Sequence, residues 1–145
     1  MSALLLAAMM LQSSAYHDEP YNGAECDQAA ADRGIQIEMN ICAWREHEAE
    51  DDRLNATWNE AREFAKSKDT RYRDSAFFEK EDDGRYFANL LEQQRAWLKY
   101  RDTSCTIAAD HYRNGSMRPM AYSACMAQMT KNRTAALRAY MEQEY

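Results

Sequence analysis

Valine is absent from this 145-residue chain, and isoleucine occurs only at positions 35, 37, 41 and 107. Pleated, half-buried strands are built largely from β-branched apolar residues, so their scarcity argues against a sheet protein. Glycine is held to four positions and proline to two, which leaves few interruptions to long helices. What fills the chain instead is Ala, Glu, Arg, Gln, Met and Leu, the good helix formers. Basic residues are also short: 18 Lys and Arg against 24 Asp and Glu leave a net charge of −6. That balance argues against nucleic acid, whose phosphates demand clustered cations, and against docking on anionic lipid. It suits a basic protein partner, because opposite charge speeds encounter. No Gly-rich phosphate loop and no Gly-x-Ser-x-Gly elbow occurs, and no cofactor is expected.

Residues 1–15 read as an export signal. Met1 to Ala15 carries no charge, Ala3 to Leu11 is an unbroken apolar run, and Ser13-Ser14-Ala15 offers small residues for cleavage. The run is too short for the roughly 20 residues that cross a bilayer, so no stable membrane insertion is expected after cleavage. Residues 16–23 then form a polar, flexible mature N-terminus, and residues 24–145 a single domain.

Four cysteines remain: Cys26, Cys42, Cys105 and Cys125. An even count in an exported chain suggests two disulfides, with three possible pairings. Cys26 and Cys42 lie eight residues either side of Gly34, and Cys105 and Cys125 lie ten either side of Gly115. If each glycine lets the chain reverse between two helices, equal arms return each pair of thiols to one height. In one continuous helix the same spacings would hold the thiols about 24 to 30 Å apart, whereas a disulfide needs Cα atoms about 5.5 Å apart. The expected pairing is therefore Cys26–Cys42 and Cys105–Cys125. Zinc usually shows Cys spaced by two to four residues, a pattern missing here.

The expected fold is all-α, a small bundle of about four helices stapled by these two local disulfides. A short helix over Ala24 to Arg33 ends at Gly34. A second runs from Gln36 to Lys66, with Met39, Cys42, Ala43, Leu54, Trp58, Ala61 and Ala65 on its apolar face. Lys66 to Arg73 reads as a charged break. Ser75 to Asp83 reads as a helical turn anchored by Phe77 and Phe78. A third helix starts near Arg85, with Phe87, Leu91, Gln94, Leu98, Arg101, Cys105, Ala108 and Tyr112 spaced 4-3-4-3-4-3-4 as a buried seam. Pro119 opens a fourth helix that runs to Glu142, with Tyr122, Cys125, Met129, Ala136 and Tyr140 facing inward.

Two polar residues, Gln94 and Arg101, interrupt the third helix's seam. Asp51 and Asn55 share the second helix's face with Leu54 and Trp58. A buried guanidinium needs a carboxylate, so Arg101 is expected to pair with Asp51. Asn55 is expected to bond Gln94 or a backbone group, the four forming an internal polar network.

A wider pattern contains these residues. It comprises Glu38-Met39-Asn40 with Cys42-Ala43, Asp51-x-x-Leu54-Asn55-x-x-Trp58, and Gln94-Arg95-Ala96-Trp97-Leu98-x-Tyr100-Arg101-Asp102-x-x-Cys105. Gly115-Ser116-Met117, Cys125, Thr130, Arg133 and Leu137 complete it. The pattern resembles the lysozyme-inhibitor LprI-like N-terminal domain family, from Cys26 to Leu137. The Gln-Arg-Ala-Trp block is its most specific part. The chain departs at Glu50, where a small residue is usual, at Trp58, where Tyr is commoner, and at Asn114, where a second Gly is common. Lys66 to Arg85 carries none of the pattern. The resemblance implies a bacterial protein, periplasmic or secreted, and lysozyme as partner; it carries over no binding residue.

His47-Glu48-x-x-Asp51 has the spacing of a zinc-protease helix with Asp in place of the second His. The simpler reading is a solvated acidic face running through Glu46, Glu48, Glu50 and Asp52. With every cysteine committed to a staple and His17, His47 and His111 scattered, no catalytic residue is assigned and the chain is read as a non-enzyme. Two functions follow. The first is an inhibitor of lysozyme or a related cell-wall hydrolase, with acidic runs at Glu46 to Asp52 and at Glu79, Glu81, Asp82 and Asp83 steering a basic enzyme. The second is an envelope binding or assembly module for another protein, or for a small polar ligand near Arg101.

Overall fold

The computed structural model describes residues 20–74 and 85–143. The export signal, the acidic run Glu79 to Asp83 and the turn around Phe77 and Phe78 lie outside the described residues. Four helices follow one another: α1 Gln28–Asp32, α2 Gln36–Asp74, α3 Tyr86–Asp110 and α4 Arg118–Met141. No strand occurs among the described residues, and no helix there is long and apolar enough to cross a membrane. Both expected disulfides are formed, with Cα atoms 4.6 Å apart in Cys26–Cys42 and 5.4 Å apart in Cys105–Cys125.

α2 is the spine. Its 39 residues span about 58 Å at 1.5 Å per residue. α4 runs parallel to it: Asn40 Nδ2 donates to Ser116 O (3.1 Å) near both starts, and the Phe64 and Tyr140 rings meet edge to face near the end of α4 and well along α2. α3 runs the opposite way and brings its first turn against the last turns of α2. The core is Leu54, Trp58, Ala61 and Ala65 from α2 with Leu90 and Leu137. The fully buried alanines 61 and 65 let the neighbouring helices approach closely.

The two reversals are built differently. Gly34 has φ +85; its N–H donates to Ala31 O and that of Ile35 to Ala30 O. This is a Schellman ending, in which the left-handed residue is usually glycine. At the second reversal the left-handed residue is Arg113, φ 37, and not Gly115. Gly115 is needed for closeness: its N–H donates to Tyr112 O at 2.7 Å, and an added Cβ would lie 3.0 Å from that oxygen.

Four sequence expectations are corrected. α2 does not stop at Lys66 but continues to Asp74. Lys66 to Arg73 is charged, yet it holds neither Gly nor Pro, and its charges are used. Lys68 Nζ sits 4.8 Å from the ring centre of Phe64, 5.3 Å from that of Tyr140 and 5.6 Å from that of Tyr86, within cation–π range. The seam of α3 drifts at its ends. Leu90 and Ala109 are buried, while Leu91 is half-buried and Ala108 and Tyr112 are exposed. A strict 4-3 alternation repeats every 3.5 residues, and a 3.6-residue helix slips by about 20° per heptad against it. The inner face of α4 is Ser123, Met126, Ala127, Thr130, Arg133, Thr134 and Leu137, not the stripe through Tyr122, Met129 and Ala136. Its polar residues hide it from a hydrophobicity pattern. On α2 likewise, Asn40 and Ile41 are buried where Met39, Cys42 and Ala43 are only half-buried.

Asp69 holds the start of α3. Arg85, at the cap position, makes no side-chain cap bond. The Asp69 carboxylate instead accepts from Tyr86 N (2.8 Å) and Phe87 N (3.2 Å), satisfying two donors that a helix start leaves open. Asp69→Ala is expected to lower stability by about 1 kcal/mol, a typical cap loss. Urea melts check it, with Asp74→Ala on the same helix as the silent control.

Candidate functional site

Arg101 sits where α2, α3 and α4 meet. Its Nη1 donates to Asp51 Oδ1 (2.9 Å) and to Thr130 Oγ1 (3.0 Å), and its Nε to Asp102 Oδ1 (3.1 Å). Thr130 Oγ1 also lies 3.3 Å from Asp51 Oδ1 as a donor. One carboxylate thus collects a guanidinium and a hydroxyl from two other helices. The Arg101 side chain is 5% exposed and that of Asp51 37%, so the pair is dry at the cation and wet at the anion.

A second cluster lies about two turns earlier on α3. Buried Arg133 donates from Nε to Gln94 Oε1 (2.8 Å) and from Nη2 to Gln93 Oε1 (3.1 Å). Burial alone pushes its guanidinium below the ordinary value. Gln94 therefore bonds Arg133 and not Asn55, which stays half-buried on α2. Trp97 joins the clusters, with the Arg101 and Arg133 guanidinium carbons 5.2 Å and 5.8 Å from its ring centres. Of the four residues grouped from sequence, the structure brings Asp51 to Arg101. It gives Gln94 a different partner. Thr130 and Arg133 were missed as members of the network, although both stand in the family pattern and lie at 3–4-residue spacing with buried Leu137.

His47 closes the other side of Asp51. Its Nε2 is 3.8 Å from Asp51 Oδ2, and its ring meets Trp44 edge to face. His47 Nδ1 and Trp44 Nε1 are buried without a hydrogen-bond partner among the described residues. Burial lowers the His47 pKa, against the pull of Asp51, with Arg101 adding to the lowering. Because the folded value lies below the unfolded one of about 6.5, the unfolded chain takes up the proton first. Stability is then complete above pH 6.5 and lost as pH falls from there through the folded value. Urea midpoints at pH 5 to 8 should show this slope, and His47→Gln should flatten it.

The acidic run on α2 is not a free face. Glu50 is buried with its carboxylate on Arg53, and Glu48 is paired with Arg45. Only Glu46 and Asp52 of the four are exposed. Among the described residues no group of three or more His, Cys, Asp or Glu is placed to hold a metal ion.

The two reversals form the other concentration of unusual residues. The Asn40–Ser116 bond sets the α3–α4 turn beside the first turn of α2. Each reversal carries exposed apolar side chains, Ile35 (47% exposed) and Ile37 (53%) at the first and Tyr112 and Met117 at the second. Both turns are tied at their base by a disulfide.

Comparison with known proteins places this arrangement. No solved structure matches the chain. A protein of Rhizobium meliloti (strain 1021), described only as uncharacterized, is 34% identical over 140 residues, which cover 95% of this chain and 91% of that one. The family model for "Lysozyme inhibitor LprI" matches residues 26–137, from the first cysteine through the last turns of α4. The match takes in both staples, the Arg101 junction and the α3–α4 turn, and the chain belongs to the lysozyme inhibitor LprI family.

Proposed function

We propose that the mature protein is an exported bacterial inhibitor that binds lysozyme or a related cell-wall hydrolase and performs no catalysis itself. The family match over residues 26–137 carries this reading. Two disulfides suit an oxidising compartment outside the cytoplasm. The inner polar groups support a structural role: Asp51 is committed to Arg101 and Thr130, and every cysteine is in a disulfide. The net charge of −6 favours encounter with a basic enzyme, and Glu79, Glu81, Asp82 and Asp83 are proposed to contribute to that steering.

Lysis of a peptidoglycan suspension by chicken-type, goose-type and invertebrate-type lysozymes, with and without micromolar mature protein, tests it. Inhibition of at least one type is expected. Added salt should slow association far more than it speeds dissociation, because exposed charges are screened over about 8 Å at physiological ionic strength. Full activity of all three at every salt concentration would point instead to an envelope module with another partner.

A further inference from the structure

We propose that the α3–α4 turn, His111 to Met117, is the wedge that enters the hydrolase's cleft, with the Arg113 guanidinium set against the paired carboxylates there. The proposal rests on the lysozyme-inhibitor reading and assigns its binding surface.

The turn has the form of a wedge. All seven residues are exposed, at a reversal between two antiparallel helices. Its shape is fixed from within: Tyr112 N donates to Ala109 O, Arg113 N to Asp110 O, Gly115 N to Tyr112 O and Arg118 N to Gly115 O. The Cys105–Cys125 disulfide clamps its base, and Asn40 from α2 holds the Ser116 carbonyl. A loop ordered in advance loses little conformational freedom on binding.

Arg113 is placed at the tip by an uncommon backbone. Its φ of 37 lies in the left-handed region, which non-glycine residues occupy at a cost and mostly where surrounding structure imposes it. Glycine two residues later would suit that conformation better, yet the chain puts Arg there. Its side chain has no hydrogen-bond or ion-pair partner among the described residues, whereas Arg118 at the turn's far end is paired with Asp110. Exposed Tyr112 and Met117 lie on the same turn, and exposed Ile35 and Ile37 on the other reversal.

The chemistry of the partner matches this layout. Glycoside hydrolases of this kind flank the scissile bond with two carboxylates about 5 to 9.5 Å apart in a cleft. A planar guanidinium binds carboxylate through two parallel hydrogen bonds, and the apolar flank can seal such a pair from water. Complementarity then works at two ranges. The acidic molecule attracts a basic enzyme from a distance, and a local cation meets the acidic centre on contact.

The test compares wild type with Arg113→Glu, Arg113→Lys and, as a distant charge control, Lys131→Glu on the exposed side of α4. Inhibition constants come from lysis assays with a lysozyme that wild type inhibits, and thermal melts of all four proteins are recorded. Arg113→Glu should weaken inhibition about 100-fold and Arg113→Lys about 10-fold, as expected for a desolvated charge pair and for loss of its two-point geometry. Lys131→Glu should stay within about twofold, and the melts should coincide, since exposed charges contribute little to stability. Inhibition should be competitive with a chito-oligosaccharide that fills the cleft. If wild type inhibits and Arg113→Glu inhibits equally well, the wedge is elsewhere and the inhibitor reading stands. If wild type inhibits none of the lysozymes, the inhibitor reading falls and the wedge with it.

Discussion

Replacing Arg101 with Met should lower stability by about 3 kcal/mol, the lower edge of the range for breaking a buried ion pair. The side chain is almost wholly buried and makes three charge-assisted or hydroxyl bonds, to Asp51, Asp102 and Thr130. Met fills the volume, so the loss is electrostatic and hydrogen-bonded rather than a cavity. Two features keep the figure at the low edge. Asp51 reaches solvent and rehydrates when its partner goes, and Asp102 is only partly covered. The Trp97 contact adds to the loss, since the ring gives up one of two cations. Asp51→Asn should cost less than Arg101→Met, because the guanidinium keeps Asp102 and the amide oxygen still accepts. Denaturant melts decide both: Arg101→Met within error of wild type would mean the junction contributes nothing to the fold.

That junction shows how far the sequence alone reaches. Arg101 and Asp51 were legible because each is a charge set among apolar neighbours at helical spacing, and a buried charge demands an opposite one. Gln94 was placed on the inner face for the same reason, but its partner was not legible. Arg133 competes for it from α4, whose buried face carries Ser123, Thr130, Arg133 and Thr134. A pattern reader that looks for apolar residues rotates that helix toward Met129 and Ala136. Burial by hydrogen bonding leaves no hydrophobic trace, so periodicity alone does not find this face, although the family pattern carries Thr130, Arg133 and Leu137 on it. The α2 extension failed for the converse reason. Lys66 to Arg73 looks like a loop by polarity, yet nothing in it breaks a helix, and Lys68 and Asp69 are fixed by rings and amides that arrive from α3 and α4. The disulfides were the easiest part, because pairing at equal arms about a glycine is a question of distance. Even there Gly115 has a different role from Gly34, since the left-handed position belongs to Arg113. The wedge proposed for binding sits on that difference.

Removing the second staple, with Cys105→Ala and Cys125→Ala together, should cost about 3 kcal/mol, the loop-closure entropy that a 21-residue ring withholds from the unfolded chain. The pair closes residues 105 to 125, which join two long helices that both contribute to the core. Without it the chain gains its freedom only by unfolding globally, so the whole loss should appear in the denaturant midpoint. Met129 adds a little more, since its Sδ lies 3.6 Å and 3.9 Å from the two bridging sulfurs and would lose that soft contact. The first staple closes a ring of similar size, so the entropy argument alone assigns it the same value of about 3 kcal/mol. Its surroundings differ. It ties down α1, five residues long, otherwise held by the Gly34 reversal, by Arg45 Nε on Ala24 O and by Glu38 on Asp27 N. Once Cys26 and Cys42 are both Ala, α1 can undock while α2, α3 and α4 stay folded. The global loss cannot then exceed the free energy with which α1 docks. The two double variants should therefore rank unequally, with Cys105/Cys125 the larger loss in urea midpoint. Amide exchange should show the Cys26/Cys42 variant opening at Gln28–Asp32 well below its global stability. Equal midpoint losses with uniform exchange would mean that α1 folds and unfolds as one unit with the bundle.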